Sequence, residues 1–257
     1  MEKRIIIIGA SSGIGMRVAT DFARLGWRVG VAARREDSLA ALKSLYPDTV
    51  EYSLVDVTAE DAAERFYDLI ERLGGMDVLL YSAGCGWMNP DLDIADDLRT
   101  IGVNVTGFTR IMVAAYKYFK DTANTSRGRI AVITSIAGTK GIGVSAAYSA
   151  SKRYQWTYLQ ALDQLAHIQH VNVGITDIRP GFVDTDLLRR EIPGTASKSA
   201  VSRLPMVMSL NYVAPRIVKA ILTGKRIATI DSRWAVVTAL WRLIPGGLWR
   251  HLQISFS

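Results

Sequence analysis

The apolar residues of this chain fall into short continuous runs, separated by longer stretches in which they recur at helical spacing. Seven runs read as strands: Arg4 to Ile8, Arg28 to Ala32, Val50 to Val55, Asp77 to Tyr81, Ile130 to Ile133, Val171 to Ile178 and Arg226 to Ile230. Between them the pattern predicts helices. One runs from the glycine turn at 9–15 through Leu25, one from Asp37 or Ser38 as cap to about Tyr46 with Pro47 as the stop, and one from Ala59 to Leu73. Further helices cover Ile94 to about Phe119, Tyr148 to about His167, and Val213 to Leu222. Strands that alternate with helices predict an α/β fold on a parallel sheet.

One of these strands leads to a distinctive set of side chains. The run Ile130 to Ile133 delivers Ser135 to a loop, and Tyr148 and Lys152 then stand one helical turn apart. A phenol of pKa near ~10 is a poor proton-transfer group at neutral pH, and a neighbouring ammonium stabilises its phenolate and lowers that pKa. Tyr148, tuned by Lys152, is expected to exchange a proton with a substrate oxygen that Ser135 polarises. The set suits carbonyl or alcohol chemistry. Tyr-x-x-x-Lys also occurs at Tyr116 and Lys120, but the position thirteen residues before Tyr116 is Val103, not a serine.

The first strand runs into G-A-S-S-G-I-G, Gly9 to Gly15, and then into a helix. Strand, glycine turn and helix together let backbone approach a phosphate at the positive end of a helix dipole. A dinucleotide pyrophosphate is expected there, against Gly9, Ser11, Ser12, Gly13, Ile14 and Gly15. The second strand ends in A-A-R-R-E. An acid at this distance past the glycine turn takes a ribose 2'-hydroxyl, whereas an arginine suits a 2'-phosphate. Arg34, with Arg35, therefore predicts NADP(H) over NAD(H), unless the two pair with Glu36 and Asp37. Asp56 or Thr58 can cap the helix that follows the third strand. Trp87 and Met88, after the fourth strand, either line a pocket or pack. Asn104 within a helix is unfavourable without a partner, which supports a role for it.

Composition narrows the setting. The chain has 257 residues and no linker or repeat, which predicts one domain spanning 1–257. Hydrophobic residues at 49% and charged residues at 21% are those of a globular protein, and the single Cys85 rules out an internal disulfide. The opening M-E-K-R-I-I-I-I has too short an apolar run for a secretory signal, so a cytoplasmic protein is expected. A net charge of +7 fits an anionic cofactor, a membrane surface or an ordinary basic exterior; no nucleic-acid-binding motif accompanies it, and no metal site is predicted.

The glycine spacing Gly9, Gly13, Gly15, with Asp56, Ala83-Gly84, Asn104, Ser135, Tyr148/Lys152 and Pro180-Gly181 in order, resembles the short-chain dehydrogenase/reductase family of the compact type over about residues 4 to 190. The resemblance implies a Rossmann-like, doubly wound parallel sheet of about seven strands with helices on both faces. It implies that Asp56 with Val57 faces the adenine, that Ala83 and Gly84 approach the adenosine ribose, and that Val183 and Thr185, after the Pro180-Gly181 turn, touch the nicotinamide carboxamide. It further implies that Asn104 holds a water linking Lys152 to solvent, that Lys152 also grips the nicotinamide ribose, and that the helices of Asn104 and Tyr148 form a homodimer interface. Ser82 departs from the family, where N-A-G is usual.

Residues 184–211 match the segment that covers substrate in the family. Their apolar side chains, Leu187, Leu188, Ile192, Leu204, Met206, Val207 and Met208, predict a lid over a partly apolar substrate, with Gly194 lending mobility, or serve the segment's own packing. Residues 232–257 form an extension with Trp234 and Trp241 on one helical face, Trp249 after Pro245-Gly246-Gly247, and Arg233, Arg242 and Arg250 beside them. Such a pattern suits a membrane interface, a wall over the pocket, a dimer contact or plain core. The leading expectation is an NADPH-dependent carbonyl reductase; the alternatives are oxidation of a secondary alcohol, or a catalytically idle NADPH-binding scaffold.

Overall fold

The computed structural model describes residues 3–86, 88–122, 127–189 and 204–252, so that Trp87, Ile192 and Gly194 lie outside the described residues. The strands are β1 (Arg4–Ile8), β2 (Arg28–Ala33), β3 (Val50–Leu54), β4 (Val78–Tyr81), β5 (Gly128–Ile133), β6 (Val173–Pro180) and β7 (Ile227–Ile230). They form one sheet in the order β3-β2-β1-β4-β5-β6-β7, parallel throughout. The helices are α1 (Gly13–Arg24), α2 (Glu36–Leu45), α3 (Ala62–Leu73), α4 (Ile94–Ile101), α5 (Phe108–Asp121), α6 (Ala146–Ile168), α7 (Asp186–Arg189), α8 (Leu210–Thr223), α9 (Ser232–Leu243) and α10 (Gly246–Trp249).

The central strands carry continuous apolar runs, such as Ile5–Ile8 and Val78–Tyr81, because both faces of the sheet are covered. Ile5 and Ile7 enter a core with Phe22 of α1, Leu39 of α2 and Ile217 of α8. Ile6 and Ile8 enter a second core with Phe66 of α3, Phe108 of α5 and Leu159 of α6. Strand order reverses direction between β1 and β4, so the loops after these strands part and leave a crevice at the carboxyl edge of the sheet. The sequence places its chemistry in those loops.

Four local expectations are corrected. Pro180 closes β6 opposite Ile230 rather than opening a turn, because a strand end needs no further N–H donor there. Neither Asp37 nor Ser38 caps α2; the chain stays extended only as far as Arg35, and Glu36 and Asp37 occupy the first turn, where the dipole favours acids. Helix α3 begins at Ala62, not Ala59, since the Asp56 carboxylate closes a tight turn on the Thr58 N–H at 2.9 Å and hydroxyl at 2.7 Å. The helix predicted from Ile94 to Phe119 is interrupted by a wider π turn at Gly102–Gly107, centred on Asn104. Such turns concentrate at functional sites.

Candidate active site

Strand β5 ends in Thr134, whose hydroxyl donates to Asp177 Oδ1 of β6 at 2.6 Å and accepts from Trp156 Nε1 of α6 at 3.1 Å. Arg179 Nε donates to Asp177 Oδ2 at 2.7 Å, and its guanidinium lies 3.6 Å from the Trp156 ring centre. This buried ion pair, braced by Thr134 and Trp156, positions the residue that follows Thr134. That residue is Ser135, which caps a 3-10 turn (Ile136–Thr139) and accepts from the Ala137 N–H at 3.1 Å.

Tyr148 and Lys152 stand on the first turns of α6, facing the end of β5. Burial pushes the Tyr148 phenol above its ordinary pKa; a hydrogen bond with Ser135 pulls it back in part, and Cys85 raises it further. Lys152 is buried too, and desolvation lowers its ammonium to about 8, with Cys85 and Asp177 opposing. Its Nζ donates to Ile133 O at 3.3 Å and Gln155 Oε1 at 3.2 Å, and lies 5.7 Å from the Tyr148 ring centre. The Tyr148 phenol thus stands above its ordinary value rather than below it, because desolvation by burial is the dominant influence on it.

Asn104 is fully buried. Its Oδ1 accepts from the Cys85 N–H at 3.0 Å, and its Nδ2 donates to Cys85 O at 2.7 Å and Ser151 Oγ at 3.0 Å. It thus fixes the loop after β4 against α6. The link between Asn104 and Lys152 is a side chain that sequence reasoning missed: Gln155 accepts from Lys152 and donates through Nε2 to the Asn104 carbonyl at 3.0 Å. Helical spacing carried the signal, because Tyr148, Lys152 and Gln155 share one face at i, i+4 and i+7. Tyr116, the other Tyr-x-x-x-Lys tyrosine, sits in the second core and donates to Gln169 Oε1 at 3.1 Å, while Lys120 is exposed.

The expected dinucleotide cradle is built by the loops after β1 and β4. Gly9 has φ +87°, and a Cβ there would come within 2.6 Å of Ala83 Cα, so only glycine lets the β1 and β4 loops touch. Gly13 has φ +55° and the Thr185 methyl directly above it, which places Thr185 beside the N-terminus of α1. Ser12 caps α1 without a side-chain bond, and Ile14 and Gly15 form its first turn. Arg35 binds Ser11 Oγ through Nε at 3.2 Å and Nη2 at 3.1 Å, which ties the end of β2 to the glycine loop. Arg34, also exposed, sits near Asp56: against the cost of burial, the Thr58 bonds and then the Arg34 charge hold that carboxyl below its usual range. No carboxylate forms an ion pair with Arg34 or Arg35 among the described residues, and Glu36 instead accepts from Tyr52. Two exposed cations with no ion pair among the described residues, a positive helix end and backbone stripped of Cβ atoms fit a phosphorylated dinucleotide.

The remaining expected contacts fall around this cradle. Gly84 lies so that a Cβ would meet both Asn104 Oδ1 and Lys152 Nζ at 3.4 Å, which joins the two halves of the site. Val57 is buried in the second core, and its carbonyl accepts from Arg110 at 2.8 Å. Ser82, the departure from N-A-G, still anchors β4 by donating its N–H to Ile8 O at 2.8 Å. Gly181 lies under the Trp234 indole, and Val183 is buried against Met208, whose N–H donates to Phe182 O at 2.9 Å. Met208 thereby closes the base of the 184–211 segment.

A family model described as short chain dehydrogenase matches residues 3–196. An uncharacterized oxidoreductase of Myxococcus xanthus is 31% identical over 249 residues, covering 95% of this chain and 93% of its own. The 11-beta-hydroxysteroid dehydrogenase A of Sesamum indicum is 29% identical over 261 residues, covering 94% and 71%. Among solved structures, ElxO with NADP bound aligns with TM-score 0.77 at 23% identity over 92% of this chain and 100% of that one. A short chain dehydrogenase from Burkholderia cenocepacia in complex with NADP aligns with TM-score 0.79 at 18% identity over 99% and 98%. The chain belongs to the short-chain dehydrogenase family. It is an NAD(P)-dependent oxidoreductase on a Rossmann-like sheet.

Proposed function

We propose that this enzyme uses NADP(H) and reduces the carbonyl of a partly apolar ketone or aldehyde. The observation that carries this reading is the Ser135–Tyr148 hydrogen bond, in which desolvation of the half-buried phenol keeps it protonated at neutral pH and so able to donate to an oxygen. The chemistry a reduced nicotinamide supplies when bound is hydride for the carbonyl carbon. Ser135 holds the substrate oxygen, Tyr148 protonates it, and Lys152 grips the nicotinamide ribose from beside Gly84. Asn104 and Gln155 keep Lys152 in place. Gly9, Ser11, Ser12, Gly13, Ile14 and Gly15 hold the pyrophosphate, Arg34 and Arg35 the 2'-phosphate, Asp56, Val57, Ala83 and Gly84 the adenosine, and Pro180, Gly181, Val183 and Thr185 the nicotinamide. The chain acts as one domain with 184–211 as lid, and as a homodimer through the helices of Asn104 and Tyr148.

The relatives' NADP complexes support the cofactor reading as likeness of fold. Titration with NADPH and NADH, followed by nicotinamide fluorescence, tests it. Wild type is expected to prefer NADPH, and Arg34→Ala with Arg35→Ala to lose about tenfold or more in NADPH affinity while NADH binding stays unchanged. Equal binding of both cofactors by wild type would overturn the NADP(H) assignment and move the reading to alcohol oxidation.

A further inference from the structure

Helix α9 is apolar on two sides. One side faces inward: Trp234 and Thr238 are buried, and the rings of Phe182, Trp234, Trp241 and Trp249 form a chain with centres 5.4, 6.4 and 5.7 Å apart. The tryptophans thus hold the extension to the body instead of lying in a membrane interface. Two further bonds clamp it to the loop after Ser135, since Trp249 Nε1 donates to Gly141 O and Lys140 Nζ to Ile244 O, each at 2.8 Å. The other side faces solvent with Val236 (60% exposed), Leu240 (57%) and Leu243 (78%), at i, i+4 and i+7, and Leu248 and Leu252 continue it. A helix apolar all round is at rest only when both sides are covered. Its twelve residues are too few to cross a bilayer, and no described helix is long and apolar enough to do so.

Charge indicates what covers the outer side. Residues 232–252 contain no Asp or Glu, and among the described residues Arg242 and Arg250 form no ion pair, Arg242 lying 5.7 Å from the Trp156 ring centre, while Arg233 is neutralised by Asp231 at 2.8 Å. Lys140 and Arg153, also without a carboxylate partner among the described residues, line the same cavity of about 1060 Å³ as Trp249, Arg250 and Leu252. The exposed apolar residues of α4, Ile94, Leu98 and Ile101, make the contrast, because Asp93, Asp96 and Asp97 stand among them. Exposed leucines beside arginines that no described carboxylate neutralises complement an anionic lipid surface, in which a short helix lies flat with its leucines in the acyl boundary and its arginines at the phosphates.

We propose that α9 and α10 dock this enzyme on anionic bilayers through Val236, Leu240, Leu243, Leu248 and Leu252, with Arg242 and Arg250 at the headgroups. Because the same segment walls the cavity beside the Ser135 loop, docking turns that cavity toward the lipid. The inference does not depend on the proposed reaction, since its test is binding alone. Purified protein is floated with vesicles of phosphatidylcholine, with and without phosphatidylglycerol. Wild type is expected to float with the mixed vesicles, to bind pure phosphatidylcholine weakly, and to be released in part by high salt. Leu240→Asp with Leu243→Asp should reduce binding about tenfold or more per leucine with an unchanged thermal midpoint; Leu240→Ser with Leu243→Ser replaces that pair if it misfolds. Arg242→Ala with Arg250→Ala should remove the preference for phosphatidylglycerol. The proposal is overturned if wild type ignores anionic vesicles, or if the leucine variants bind as well as wild type. It is also overturned if the face proves to be self-association, seen as a dimer that the leucine variants split while vesicles bind neither form.

Discussion

The two ends of the crevice hold polar groups in opposite ways. At the β5–α6 end, Ser135, Lys152, Asn104 and Gln155 are buried and Tyr148 half-buried, with Ser135 bonded to Tyr148 and Gln155 bridging Lys152 to Asn104, and desolvation has moved the Tyr148 and Lys152 pKa values. At the β2 end, Arg34 and Arg35 are exposed and form no ion pair among the described residues. Proton transfer needs a group whose pKa and position are set in advance, which only burial and a closed network provide. Reading a phosphate needs only charge within reach of a mobile, solvated anion. A substitution at the first end should therefore change rate and stability together, and one at the second should change affinity alone.

Tyr148→Phe is the strongest test of that division. It removes the proton donor and leaves the ring packed beside Gly86, so turnover on any carbonyl substrate should fall by about a thousandfold or more while NADPH still binds. Retained function with no measurable turnover in either form would favour the scaffold reading. Lys152→Met separates rate from stability. With the folded pKa of Lys152 lowered to about 8, the unfolded chain binds a proton that the folded protein does not between about 8 and 10.5. Wild-type stability should then rise by up to about 3 kcal/mol from this group as pH climbs through that window, with the full cost present below it. The variant should lack that rise in urea unfolding at pH 7.5 and 10, and should be inactive. Reductive kcat/KM of wild type should fall above about pH 8 as the ammonium is lost. A smaller effect is expected of Gln155→Leu, which leaves Lys152 and the Asn104 carbonyl unbridged: kcat should drop about tenfold, with the pH midpoint displaced and KM for NADPH little changed. An unmoved pH midpoint would make Gln155 merely a packing residue.

The catalytic end was the more legible in sequence, since Ser135, Tyr148 and Lys152 hang on strand and helix periodicities that survive in the fold. The seven strands were legible for the same reason, because Ile5 to Ile8 had to be apolar whichever way each side chain turned. Periodicity does not see what a polar side chain meets. It missed Gln155, whose meaning depends on the Asn104 carbonyl arriving from another helix, and the π turn that brings it there. It also gave the sign of the Tyr148 shift wrongly, because spacing reports a neighbouring charge and is silent on desolvation. Arg35 reaching Ser11 depends on how the chain leaves β2, and α9 read as one-sided because its tryptophans stood out over its leucines.

The Trp234 indole covers Gly181 so closely that no side chain fits between them, and its Nε1 has no partner among the described residues. The loop that follows β6 is thus completed by a residue synthesised some fifty positions later. Closure of the loop after β6 therefore depends on a segment remote from Ser135 and Tyr148 in sequence, so that a change at Trp234 is expected to reach the site without touching either.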